Sequence, residues 1–222
     1  MKKLVQGVHQ FQEHAFQAHK QLFAGLAEGQ APHTLFITCS DSRINPNLLT
    51  QAEPGELFIL RNPGNLVPRY GQSHSGEAAG IEYALTALSI EHIVVCGHSH
   101  CGAMKGLVSP TDLDVLPAMK AWLGQAERTR RVLYENYPEA SQADLLNIAI
   151  QENVLVQLEN LRSHPLVAER LQANRLQLYG WVYKLETGEV FAYDATSGQF
   201  EGVTEKLHLG TASELPRISA SL

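Results

Sequence analysis

Two short segments of this chain carry residues that can do chemistry. Cys39-Ser40-Asp41-Ser42-Arg43 offers a thiolate with a carboxylate and a guanidinium close behind it. Gly97-His98-Ser99-His100-Cys101-Gly102 offers an imidazole and a second thiolate. Two thiolates and one imidazole leave one tetrahedral position of a zinc ion open. An open position marks a catalytic zinc, because a structural zinc is closed by four protein ligands. The third cysteine, Cys96, lies in the apolar run Ile93-Val94-Val95-Cys96 and reads as a buried strand residue.

Each segment alone has little specificity, since an isolated HxxC arises by chance and a solitary Cys is often a small buried hydrophobe. Context supplies the rest. Thr34-Leu35-Phe36-Ile37-Thr38 and His92-Ile93-Val94-Val95-Cys96 are short apolar runs with β-branched residues and read as buried strands. Cys39 follows the first run; His98 and Cys101 follow the second. Open α/β sheets place their sites at the C-terminal ends of parallel strands, where these ligands would meet.

The elements that must position them follow in order. Residues 2–28 read as one amphipathic helix, with Leu4, Val8, Phe11, Ala15, Leu22 and Leu26 on its apolar stripe. Gly29-Gln30-Ala31-Pro32 ends it. A short helix is expected over 46–51, a strand over 56–60, a turn-rich loop over 61–65 and a helix over 75–88. Another helix opens at Gly102, and 112–163 reads as mostly helical, with Pro138 and Pro165 as punctuation. Strands over 176–183 and 189–193 flank the turn Glu186-Thr187-Gly188. The residues after about 202 form a tail, ordered or frayed. The fold class is α/β: a mostly parallel central sheet flanked by helices, with an extended N-terminal helical arm (1–28) before a zinc-binding catalytic domain (29–222).

With 222 residues the chain can bury the core of one such domain. A net charge of −6 argues against nucleic acid as a partner and leaves no basic patch for anionic lipid. No apolar stretch reaches the roughly 18 residues of a membrane span. The N-terminus has two lysines but no apolar h-region of a signal peptide. Three cysteines, two wanted by a metal, fit a reducing compartment. A cytoplasmic protein is expected.

The pair CxDSR and HxxC, with EPGELFILRNPGN and SGEAAGIEYAL between them, resembles β-class carbonic anhydrases from about Leu4 to Phe200. It is most similar to the plant-like branch, which includes cyanobacterial carboxysomal enzymes and bacterial enzymes linked to cyanate metabolism. The resemblance implies one Zn²⁺ per chain on Cys39, His98 and Cys101, whose bound hydroxide attacks CO₂ to give bicarbonate and a proton. It gives Asp41 the role of orienting that hydroxide and Arg43 that of holding Asp41 ionised. It places Gln30, from a neighbouring subunit, on a substrate oxygen. Phe58 and Tyr83 match apolar walls of the CO₂ site, and the Gly102 N–H would serve a bicarbonate oxygen. Pro63 departs from the Ala, Ile or Val usual at its position.

The resemblance further implies a homodimer or a higher even oligomer with the arm reaching across, although such a helix could also pack on its own domain. Phe36 replaces the Trp of the branch whose Asp closes onto zinc, so an open site with Asp41 on Arg43 is expected. His74 and His100 are candidate proton shuttles; His9, His14 and His19 read as solvated. Three other functions compete with this reading. The same site could act on carbonyl sulfide or carbon disulfide. A carboxysome-assembly role is disfavoured because the chain lacks a long C-terminal extension. A zinc deaminase does not fit, because its HxE and PCxxC elements are missing.

Overall fold

The structure is a computed structural model and describes residues 1–72, 75–109 and 113–204. Six strands form one sheet in the order β2-β1-β3-β4-β5-β6. They are β1 (Thr34–Cys39), β2 (Leu57–Asn62), β3 (His92–His98), β4 (Gln177–Tyr183), β5 (Val190–Asp194) and β6 (Gln199–Gly202). The first four are parallel; β5 and β6 extend the edge antiparallel. Of these two, the strand expected over 189–193 corresponds to β5, and β6 was not expected.

Successive strand residues alternate between two faces. Leu35, Ile37, Ile93, Val95, Leu178 and Val182 enter the main core, whereas Phe36, Val94 and Cys96 enter a smaller cluster on the other face. The main face is covered by α5 (Gly76–Thr86), α6 (Gly102–Val108), α8 (Glu127–Asn136), α9 (Gln142–Arg162) and α10 (Pro165–Gln172), with α7 (Pro117–Leu123) leading into α8. α9 lies directly on β3 and β4. Gly97 and Gly180 permit this: a Cβ at Gly180 would sit 2.9 Å from Val154 Cγ1, and one at Gly97 3.0 Å from Val154 Cγ2. Val154, Leu158 and Leu161 of α9 are fully buried. Each such side chain stabilises the fold by about 1.5–3 kcal/mol.

Two helices carry clear start signals. Ser75 Oγ accepts from Ala78 N ahead of α5, and Ser141 Oγ accepts from Asp144 N ahead of α9. The short α4 (Pro46–Thr50) has Pro46 in its first turn and is capped by Asn45. Pro165 likewise opens α10, so the reading of it as punctuation missed a helix.

The N-terminal arm is the main departure from expectation. Instead of one helix, 2–28 comprises α1 (Lys2–Gln10), a π-wound turn (Phe11–Ala15), α2 (Phe16–Ala18) and α3 (Lys20–Glu28). His19, at φ −111° and ψ 24°, breaks the path. The cause is an aromatic cluster: Phe11 and Phe23 have ring centroids 5.8 Å apart, and Phe16 stacks on Phe23 at 5.2 Å. A straight helix would separate residues 11 and 23 by about 18 Å along its axis. The His14 and His19 side chains meet the Gln10 and Ala15 carbonyls, one turn back along the arm. No residue of α1, α2 or α3 is buried within the chain. His74 and the tail from 205 onward lie outside the described residues.

Candidate metal centre

β1 and β3 run parallel in a register that pairs Thr38 with Cys96. Both strands therefore end at the same sheet edge, Cys39 as the last residue of β1 and His98 as the last of β3. The chain then turns sharply through His100, whose φ of +56° is left-handed, and returns Cys101 as the N-cap residue of α6. Cys39 Sγ and Cys101 Sγ are 3.9 Å apart. The two sulfurs and a ring nitrogen of His98 all lie within 4.8 Å of one another, and all three residues are buried.

Hydrogen bonds fix the imidazole. His98 Nδ1 lies 2.9 Å from the Ser99 carbonyl, which can only accept, so Nδ1 carries the proton. Nε2 is then a bare lone pair, and it is buried with no hydrogen-bond partner among the described residues. An orphaned acceptor in a fully buried ring, next to two thiols, is what a metal ligand looks like before its cation is added. The thiols fit as well. The Cys101 hydrogen bond, together with the Gly64 N–H, brings the Cys39 thiol down to about 4 against the opposing effect of burial. The same hydrogen bond and burial push the Cys101 thiol well up. The pair gives up one proton readily and needs a cation to give up the second. Cys96, fully buried on the other face, is pushed up to about 12 by desolvation and stays a thiol.

Asp41 stands beside this group, with Oδ2 3.9 Å from His98 Nε2. Arg43 grips it in a fork: Nε donates to Oδ1 at 2.9 Å and Nη2 to Oδ2 at 2.7 Å, and the Arg43 backbone N adds 3.0 Å to Oδ1. These bonds hold the Asp41 carboxyl well below the usual carboxylate range. Arg43 also reaches the His100 carbonyl at 3.1 Å, tying the two segments together.

Several residues that build the site were not singled out from sequence. Arg61 donates to the Cys39 carbonyl at 3.0 Å and the Asp41 carbonyl at 2.7 Å. Gly64 N donates to Cys39 Sγ at 3.3 Å. Ser99 is held three ways: its N donates to Tyr183 O, its Oγ accepts from Leu185 N at 2.9 Å and donates to Glu186 Oε2 at 2.6 Å. The β4–β5 turn thereby clamps the loop between two candidate ligands. On α9, Asn153, Gln157 and Asn160 form a buried amide ladder that takes up the Gly64 carbonyl, the Val67 N–H and the Val67 carbonyl in turn. Its signal in the sequence is three amides at helical spacing (153, 157, 160) on an otherwise apolar face.

The other expected residues divide between the metal group and the rest of the chain. Phe58 pairs in register with Leu35, four residues before Cys39 and so about 13 Å along the strand. Tyr83 packs on Phe58 at 5.8 Å and is half exposed. Gln30 is exposed after the end of α3. Gly102 directly follows Cys101 at the start of α6, with open space where a Cβ would be. His100 is exposed, its Nε2 3.6 Å from Glu186 Oε2.

Comparison with known proteins agrees with this geometry. The carbonic anhydrase family model matches residues 34–190. A carbonic anhydrase of Synechococcus elongatus is 50% identical over 92% of this chain and 76% of its own length. One from Pseudomonas aeruginosa is 48% identical over 92% and 93%. The solved β-carbonic anhydrase CcaA superposes with a TM-score of 0.90 at 48% identity, covering 91% of this chain and 99% of that one. The chain belongs to the β-carbonic anhydrase family. Its reaction is the reversible hydration of CO₂ to bicarbonate and a proton, its cofactor is zinc, and the Cys39, His98 and Cys101 group fits that ion. Among the described residues no helix is long and apolar enough to cross a membrane. Tetrameric β-carbonic anhydrases from Sordaria macrospora share the fold at a TM-score of 0.79 and 26% identity, covering 91% of this chain and 98% of theirs.

Proposed function

We propose that this β-carbonic anhydrase holds one zinc on Cys39 Sγ, His98 Nε2 and Cys101 Sγ and works as an open-site enzyme. The observation that carries this reading is the unpartnered, buried His98 Nε2 within 4.8 Å of two thiols. Zinc supplies a hydroxide-strength nucleophile near neutral pH by lowering the pKa of bound water from about 15.7 to about 7. The chain's own groups do the rest. Asp41 accepts a hydrogen bond from the nucleophile's O–H and so aims its lone pair at CO₂. Arg43 keeps Asp41 ionised and fixed, and that pairing competes with any move of Asp41 onto the metal. Breaking the fork would leave a guanidinium without its partner, costing on the order of a few kcal/mol. The Gly102 N–H donates to an oxygen of the forming bicarbonate. The proton released in each turnover leaves to solvent, with exposed His100 as one candidate carrier.

Phe58 stands about 13 Å along the strand from Cys39 with Tyr83 packed on it, and together with exposed Gln30 they are assigned to the site of a second copy. Two surfaces support a dimer or higher even oligomer. Leu4, Val5, Val8 and Phe11 present an exposed apolar face on the arm. An apolar cleft of about 430 Å³, lined in part by Phe36, Val94, Tyr179 and Trp181, lies open on the helix-poor face of the sheet. We place the protein in the cytoplasm, because two free thiols 3.9 Å apart would be open to oxidation in an oxidising compartment. Docking to carboxysome proteins is a separate question, answered by a pull-down with purified shell proteins. Stopped-flow CO₂ hydration with zinc analysis on the same sample tests the ligand assignment. Cys39→Ala should lose metal and activity together, and full zinc in that variant would refute it.

A further inference from the structure

Away from the metal centre, a cleft of about 550 Å³ opens between the loop after Val67, the start of α8 and the end of α9. Arg69, Arg128 and Arg131 line it. The chain as a whole carries a charge of −6, so three guanidinia at one opening run against its balance. Their own ion pairs do not account for them. Arg69 and Arg128 make no side-chain hydrogen bond or ion pair among the described residues, and Arg131 has a loose, exposed contact of 3.9 Å to Glu135 besides acting through its charge on Glu127. Glu127, the one carboxylate among the described lining residues, is held bidentately by Arg130 at 2.8 Å and 2.8 Å.

Two side-chain oxygens of the lining also have no donor among the described residues. Asn160 is nearly fully buried, and its Oδ1 has no hydrogen-bond partner among the described residues. Its orientation is fixed, because Nδ2 donates to the Val67 carbonyl at 2.9 Å and to Gln157 Oε1 at 3.2 Å. Gln125 Oε1, in the same lining, is buried and unpartnered too. Buried polar atoms are rarely left unmatched without a reason. Guanidinium forks suit oxyanions, and phosphate above all; the carbonyl oxygens of Asn160 and Gln125 ask for O–H donors. The volume falls within the range of about 300–1,000 Å³ of small-ligand sites.

We infer that this cleft is a second, non-catalytic site for a hydroxyl-bearing phosphate: hydrogen phosphate or the phosphate monoester of a small polyol. Oxyanion atoms meet Arg69, Arg128 and Arg131, and hydroxyls meet Asn160 Oδ1 and Gln125 Oε1. Asn160 is also the last rung of the ladder that ends at Gly64 beside Cys39, so the cleft and the metal loop share one polar network.

Calorimetric titration of the zinc-loaded protein tests the site, with the metal position blocked by a sulfonamide. Inorganic phosphate and glycerol phosphate serve as the two probes. Saturable binding of either, one per chain, is expected, weakened at least about tenfold in Arg69→Gln/Arg128→Gln. Tighter binding of glycerol phosphate would identify an ester as the ligand, and equal binding would identify the free ion. The two arginines hold nothing in the fold, so an unchanged melting temperature will show the variant intact. Should it melt early, Arg69→Lys/Arg128→Lys, which keeps charge and loses the fork, should still weaken binding. No saturable heat with either probe, or equal affinity in the variants, would overturn the proposal. Because binding is read without turnover, the outcome is independent of the carbonic anhydrase reading.

Discussion

At the scale of single residues, the account rests on how Asp41 and Ser99 hold the centre. Asp41→Asn keeps the hydrogen-bonding shape but cannot accept on both arms, so it should keep zinc while turnover falls about 10²–10⁴-fold. Stopped-flow assay and metal analysis of one preparation will check this; loss of the metal instead would make Asp41 a structural residue. The sign of its pH effect follows from the depressed carboxyl. The Arg43 pair stabilises the fold in full above the unfolded value of about 3.9 and is lost as pH falls through the lower folded value. Denaturant unfolding between neutral and acid pH should therefore show wild type and Asp41→Asn converging as the pH drops below about 4. Ser99→Ala frees the His98 loop from Leu185 and Glu186 and should weaken zinc binding about 10–100-fold. Competition with a chromophoric chelator measures that directly, and unchanged affinity would leave the clamp without a role. The three candidate ligands were legible because each falls within a few residues of a strand end. Arg61, Ser99–Glu186 and Gly64 were not, because their partners lie about 20 to 90 residues away in sequence and only the folded sheet brings them close.

At the scale of elements, the amide ladder of α9 decides how firmly the loop over Cys39 is held. Gln157→Leu would leave the Val67 N–H unpartnered and remove an acceptor of Asn160, at about 1–3 kcal/mol for each buried group. At about 2–4 °C per kcal/mol for a chain of this size, a drop of several degrees in melting temperature is expected. A shift near zero would mean that water replaces the ladder at no cost. The parallel strands were readable as apolar runs because burial on both faces leaves few polar residues in them. β6 was not, since its four residues are nearly all exposed and Phe200 is its one apolar anchor. The break at His19 was hidden for a different reason. An apolar stripe at helical spacing does not say whether its aromatic residues would rather cluster with each other.

At the scale of the whole molecule, an arm with no buried residue and a sheet face left partly bare make a lone chain incomplete. Sedimentation should give a dimer or a multiple of it, and deletion of 1–28 should yield smaller species with much reduced activity. A fully active monomer would contradict the shared-site reading. The central claim is that Cys39, His98 and Cys101 hold the zinc on which CO₂ hydration depends. One measurement tests it most directly: zinc per chain and stopped-flow hydration rate, on the same preparation, for the wild type and for Cys39→Ala and Cys101→Ala. The wild type should carry one zinc and hydrate CO₂ rapidly, and the two variants should do neither. Stoichiometric zinc in both variants, or hydration at the wild-type rate without it, would contradict it.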